Sequence, residues 1–266
     1  MTALRVGRIA ALNMYPIYHG LERASGHGFA FTDGVPTALN EALLDGRLDV
    51  SAMSSIEYAR NAERLELVPV ASITADGAVD SIQVFSRVPF DQVRSVAVTP
   101  HSATSVALLR VLLGPGPAPF KVLRGAPADA LEHVDGVLLI GDEALEGLRT
   151  PFAPHRTDLG AAWGDLTGHP MVFAVWAASR AAARERPGQL ADLAAQLTAA
   201  RAAYLADPEA VVHAAARRFP FPADFIRPYL SRLRYEFGPR ERAGLEEFLR
   251  RASAAGDLDA VPRLAA

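Results

Sequence analysis

No cysteine occurs among the 266 residues, which excludes disulfides, thiolate nucleophiles, Cys-ligated zinc and a lipoprotein anchor. Lysine is nearly as scarce. Of 27 Lys and Arg residues only Lys121 is lysine, so Schiff-base chemistry has one candidate, placed in a run that reads as a strand. Long apolar runs are missing too, and no window approaches a membrane span. Met1 to Ile9 leads to Asn13 and Pro16 without an uninterrupted apolar core, so a signal peptide is not expected. Neither charge sign forms a run, and a net charge of −3 offers no nucleic-acid or membrane surface. A phosphate-cradling glycine loop is also absent: Gly114-Pro115-Gly116-Pro117 places prolines where backbone N–H groups would be needed. His27, His101, His133, His155 and His169 are scattered without metal-ligand spacing and read as surface or core residues. No cofactor and no metal are expected, and the expected compartment is the cytoplasm.

What is present is ordinary for a globular enzyme, with 50% apolar and 21% charged residues. The length exceeds the usual single-core size, so one large domain or two smaller lobes is expected. The chain is organised around residues 95–113. Ser95 to Thr99 alternates β-branched and small residues, as a short buried strand does. Pro100 stops that strand, and Ser102, Ala103, Thr104 and Ser105 occupy the turn before an apolar helical run. A helix start carries unpartnered N–H groups and partial positive charge, so it can bind a carboxylate or phosphate without a lysine. Plain capping by Ser102 or Thr104 is the alternative.

Along the chain, strands are predicted over 4–10, 29–32, 48–53, 65–73, 79–87, 120–123 and 171–177. Helices alternate with them over 17–23, 36–44 and 127–133. Leu48 to Tyr58 and Gly136 to Leu145 share one layout: apolar strand, small polar turn, acidic first helical turn. Two lobes of similar construction would explain the pair. Beyond Ser179 the chain is Ala-rich and helical, interrupted at Asp207-Pro208, and His213, Tyr229 and Tyr235 there read as packing or surface residues. The alternation predicts an α/β protein with mostly parallel sheets.

Most polar residues at the turns are neutral: Asn13, Ser54, Ser55, Ser81, Ser102, Thr104 and Ser105. Glu57 and Asp142 are the nearby acids, Asp142 following Gly141, and His101 is the nearby imidazole. Asn13 falls just past a strand end, where sheet proteins of this class place binding groups, although turn capping is an alternative role. A cleft of hydroxyls and helix ends fits a small anionic organic ligand.

Five segments carry a resemblance: Leu12-Asn13-x-x-Pro16-Ile17-Tyr18-x-Gly20-Leu21, Ser54-Ser55-Ile56-Glu57-Tyr58, Gly77-x-Val79-x-Ser81, Leu139-Ile140-Gly141-Asp142, and Asp158-Leu159-Gly160-x-x-Trp163 running on to Trp176. Together, over about residues 4–180, the chain resembles the MqnA family, chorismate dehydratases of the futalosine route to menaquinone. The resemblance implies a two-lobed fold like that of type II periplasmic binding proteins, with a ligand cleft between the lobes and crossovers near 82–92 and 170–178. Residues 1–84 with the helical 175–266 would form one lobe and 85–174 the other. It also implies loss of water from chorismate to give 3-[(1-carboxyvinyl)oxy]benzoate, without a cofactor. For that reaction Ser54, Ser55 and the 102–105 turn suit carboxylate binding, as do Gly141 and Asp142 at the corresponding turn after Ile140. Asn13 and Ser81 suit the departing hydroxyl or the developing anion, and Glu57 is an available acid. The expected partner is the small molecule alone, the chain being a monomer or homodimer. Two other readings share the fold: a small-anion-binding protein or sensor, and 1,4-dihydroxy-6-naphthoate synthase, whose N-terminal pattern differs from Leu12-Asn13-x-x-Pro16. The missing export signal and anchor cysteine argue against a transporter component.

Overall fold

The computed structural model describes residues 2–24, 28–100, 103–114 and 120–264. His27, His101, Ser102 and most of the Gly114 to Pro117 breaker lie outside them. The chain opens with β1 (Leu4–Ile9), a 3-10 turn at Leu12–Met14, and α1 (Tyr15–Arg23). Pro16 stands in the first turn of α1, where a backbone N–H has no helical partner to lose. β2 (Phe29–Gly34), α2 (Pro36–Leu44), β3 (Val50–Ser54), α3 (Ser55–Arg60) and β4 (Leu65–Ala75) follow.

The chain then leaves this sheet. β5 (Ile82–Ser86), β6 (Val96–Val98), α4 (Ala103–Leu113), β7 (Lys121–Val122), α5 (Pro127–Ala130), β8 (Gly136–Ile140), α6 (Gly141–Arg149), β9 (His155–Asp158) and α7 (Leu159–Thr167) build a second one. β10 (Met171–Ser179) returns to the first sheet. Helices α8 (Arg180–Glu185), α9 (Pro187–Ala206), α10 (Pro208–Ala216) and α11 (Ala223–Arg232) lead to the two-residue β11 (Leu233–Arg234) and to α12 (Pro239–Ala254). The first sheet has the order β11-β4-β10-β3-β1-β2 and the second β7-β6-β8-β5-β9.

Two expectations are corrected. The sheets are mixed: β1 pairs parallel with β2 and β3, and β6 with β7 and β8, but β5 and β10 run antiparallel to their neighbours. Strands that carry the chain into a sheet from the other lobe arrive from the opposite end, which reverses their direction. The crossings themselves are residues 76–81 and 159–170, because 82–86 and 171–179 are already strands of the sheets they enter.

Period-two alternation sorts the second sheet's side chains between two cores. Val84, Val96, Val98 and Leu138 join the large apolar cluster that continues through the first lobe, whereas Phe85, Ala97, Val137 and Leu139 face a smaller outer one. The C-terminal helices bind the lobes together, α12 packing on both β10 and α4.

Candidate active site

A cavity of about 210 Å³ opens where strand ends of the two sheets meet. Ile9, Asn13, Ser54, Ile73 and Phe173 line it from the first lobe, and Ser81, Thr99, Ser105, Ile140, Gly141 and Glu143 from the second. A larger open groove of about 710 Å³ runs past Arg60, Arg64, Arg180 and the segment 256–263. The smaller cavity is the better ligand site, since it combines an apolar wall with convergent polar groups at strand ends.

Asn13 reaches the cavity because β1 ends at Ile9 and the 3-10 turn folds the chain across the strand's end. Tyr235 Oη donates to the Asn13 carbonyl at 2.8 Å and pins this turn to the C-terminal segment. The side-chain oxygen of Asn13 is buried and has no hydrogen-bond partner among the described residues. Buried amide oxygens are seldom left so, and Asn13 is among the residues that line the cavity.

Ser81 stands in the crossing that Asp158 organises. The Asp158 carboxylate accepts from Gly160 N at 2.9 Å and Ala161 N at 3.1 Å, capping α7. It also accepts from Val79 N at 3.1 Å, Asp80 N at 2.7 Å and Gln83 Nε2 at 2.6 Å. Asp80 has a positive φ of 58°, unusual for a residue with a Cβ, and its carboxylate meets Arg232 at 2.9 Å. Burial raises its pKa against the pull of that arginine. A Cβ on Gly160 would come within 2.5 Å of the Gly77 carbonyl, so the two motifs meet only because position 160 is glycine. Held this way, Ser81 O accepts from Gly141 N at 2.7 Å, and Ser81 is among the residues that line the cavity. Gly141 opens α6 with φ of 58°, a left-handed conformation that favours glycine.

The other expected site residues divide. Ser54 and Ser105 line the cavity. Ser55 is fully buried and donates to Val172 O at 2.7 Å, which ties α3 to β10. Thr104 is turned towards the first lobe, its oxygen accepting from Ile56 N at 3.1 Å and donating to Ser54 Oγ at 3.1 Å. Ala103 starts α4 without lining the cavity. Asp142 also points across the lobes, accepting from Leu12 N at 3.4 Å. Burial raises its pKa and that N–H offsets part of the rise. Glu57 lies outside the cavity, paired with Arg60 at 2.6 Å one helical turn on. Glu143, which sequence reasoning passed over, is the cavity's carboxylate among the described residues. Its position beside Asp142 in the first turn of α6 was the signal available.

Sequence and structure comparisons agree with this architecture. A family model described as menaquinone biosynthesis matches residues 4–254. A chorismate dehydratase of Thermus thermophilus is 34% identical over 252 residues, covering 89% of this chain and 90% of that protein. One from Campylobacter jejuni is 32% identical over 174 residues, covering 63% and 64% respectively. Among solved structures, a protein from Archaeoglobus fulgidus superposes with a TM-score of 0.78 at 14% identity, covering 96% of this chain and 98% of that one. The periplasmic aliphatic sulphonate binding protein of Escherichia coli gives 0.68 at 18% identity, covering 99% and 95%. These likenesses establish the two-lobed periplasmic-binding-protein fold. By the match across residues 4–254, the chain belongs to the menaquinone-biosynthesis family.

Proposed function

We propose that this chain is a carbon–oxygen lyase that removes water from chorismate to give 3-[(1-carboxyvinyl)oxy]benzoate in menaquinone biosynthesis. The observation that carries the reading is the buried, unpartnered Asn13 amide oxygen, which shares a cavity with Ser81 and the start of α6. The two relatives named chorismate dehydratase support the substrate. The proposed lobes are residues 1–84 with 175–266 and residues 85–174, with the limits moved to the sheet changes at 76–81 and 159–170. The proposed compartment is the cytoplasm and the proposed assembly a monomer or homodimer.

The reaction breaks one C–H and one C–O bond. The proton leaves the ring carbon that bears the ether, and its electron pair spreads through the conjugated system onto the ring carboxylate. The hydroxyl departs from the neighbouring carbon, and the ring becomes aromatic. Two substrate carboxylates must be held, yet no lysine or arginine lines the cavity among the described residues. The first-turn N–H groups of α6 beyond Gly141, whose own N–H is held by Ser81 O, and the hydroxyls of Ser54 and Ser105 do this work. Asn13 donates through its amide N–H to the departing hydroxyl or to the charge developing on the ring carboxylate. The proton goes to the substrate's own side-chain carboxylate, and the enzyme contributes orientation.

Purified protein incubated with chorismate and no added cofactor should yield an aromatic product one water lighter, read by absorbance and mass spectrometry. Chorismate bound tightly and recovered unchanged would instead favour a binding protein.

A further inference from the structure

We propose that Thr104 is a positioning residue for Ser54: it takes over the capping of α3 and donates to Ser54 Oγ, which leaves the serine's own proton for a carboxylate oxygen of the bound ligand. The proposal rests on Ser54 holding a substrate carboxylate in the reaction described above. Ser54 ends β3 and stands at the N-cap of α3. A serine there ordinarily turns its oxygen onto the N–H of the second or third helical residue. Ser54 makes no such bond. The N–H of Ile56, the second residue of α3, goes instead to Thr104 Oγ1 at 3.1 Å, which reaches over from the first turn of α4. Released from capping, Ser54 is among the residues that line the cavity. Its backbone is fixed by pairing with Ala174 of β10, so Thr104 sets the direction of the hydroxyl and not the place of the residue.

Proton counting gives the direction. A threonine hydroxyl has one proton and two lone pairs. Ile56 N–H can only donate, so it occupies a lone pair of Thr104 and leaves the threonine proton for Ser54 Oγ, 3.1 Å away. Donation the other way would strand the threonine proton. Thr104 is 1% exposed, and its hydroxyl has no further partner among the described residues. A buried donor left unmade is costly, whereas the half-buried Ser54 can give its proton to a ligand at the cavity. The relay from Ile56 N–H through Thr104 and Ser54 to the ligand polarises along its length, and Ser54 becomes a stronger donor to an anion. Thr104 belongs to the second lobe and Ser54 to the first, so the relay is complete only where α4 rests on α3.

The test compares Thr104→Val, Thr104→Ser, Ser54→Ala and the double variant Thr104→Val with Ser54→Ala. The titrant is 3-[(1-carboxyvinyl)oxy]benzoate, which keeps both carboxylates and is not consumed, so Kd is read by calorimetry well below each melting transition. Ser54→Ala should raise Kd about tenfold or more, the scale of a lost hydrogen bond to a charged group. Thr104→Val should raise it about fivefold, and Thr104→Ser, which keeps the hydroxyl, by less than about twofold. Adding Thr104→Val to Ser54→Ala should raise Kd no further, because the threonine acts through the serine. A merely structural contact would weaken binding equally in both backgrounds. Losses that multiply, or a parental Kd in Thr104→Val, would overturn the proposal. A parental Kd in Ser54→Ala would overturn it as well, by removing Ser54 from the ligand. Chorismate turnover by the parent is measured alongside. Its absence would sink the lyase reading alone; chorismate would then serve as the titrant, and the same Kd pattern would decide the pair.

Discussion

Thr104 caps a helix that belongs to the other lobe: its Oγ1 accepts at 3.1 Å from Ile56 N, in the first turn of α3. The hydroxyl that sequence reasoning assigned to a ligand is thus engaged by the protein, and with it one route by which α4 registers on α3. Thr104→Val has nearly the same shape and leaves Ile56 N buried without a partner. The cost should be about 1–3 kcal/mol, read as a lower melting temperature, with Thr104→Ser close to the parent. A parental melting curve for Thr104→Val would show that this contact adds nothing.

Asn13→Asp keeps size and turn preference but exchanges the amide donor for negative charge beside an anionic substrate. Turnover should fall about 10²-fold, the scale of losing one preorganised donor. The melting temperature should fall at neutral pH, because the new carboxylate is buried without a partner, while Tyr235 still holds the turn through the backbone carbonyl. An active Asn13→Asp enzyme would assign the residue to its turn alone.

Carboxylates supply a third test. Glu57→Gln should keep kcat within about twofold, and its exposed pair with Arg60 should matter by less than about 1 kcal/mol. Glu143→Gln should keep turnover within severalfold if the substrate's own carboxylate takes the proton. Loss of about 10²-fold or more in Glu143→Gln would make that side chain the base.

Asp142 should leave a signature in the pH dependence of stability. Burial raises its folded-state pKa above the ordinary carboxylate value. Between those two values the folded chain binds more protons than the unfolded one, so this group's contribution falls as pH rises. Asp142→Asn retains the oxygen that accepts from Leu12 N and is never charged. It should melt above the parent at neutral pH, with the gap closing as pH falls towards about 4. A gap independent of pH would assign the effect to packing.

Local chemistry made part of this molecule legible in advance. Helix α2 begins and ends as read, from Pro36 to Leu44, because Pro at its start and Gly46 past its end (φ 73°) act within a few residues. Asn13 and Ser81 were visible as polar residues at the ends of apolar strands, and both line the cavity. What the sequence could not determine depends on partners distant along the chain. Thr104 meets Ile56 across 48 residues, and Asp158 meets Gln83 across 75. The antiparallel entry of β5 and β10 follows from a chain that leaves one sheet and returns, which no local propensity encodes. Tyr229 and Tyr235 read as packing or surface residues, and both are buried. Only the packing of the C-terminal segment under the cleft brings the Tyr235 hydroxyl to the Asn13 carbonyl. Residue type and spacing thus selected the polar groups available for chemistry. The tertiary structure decided which of them are engaged by the protein and which remain for a ligand, because a hydroxyl or carboxylate binds whatever donor the fold brings within reach.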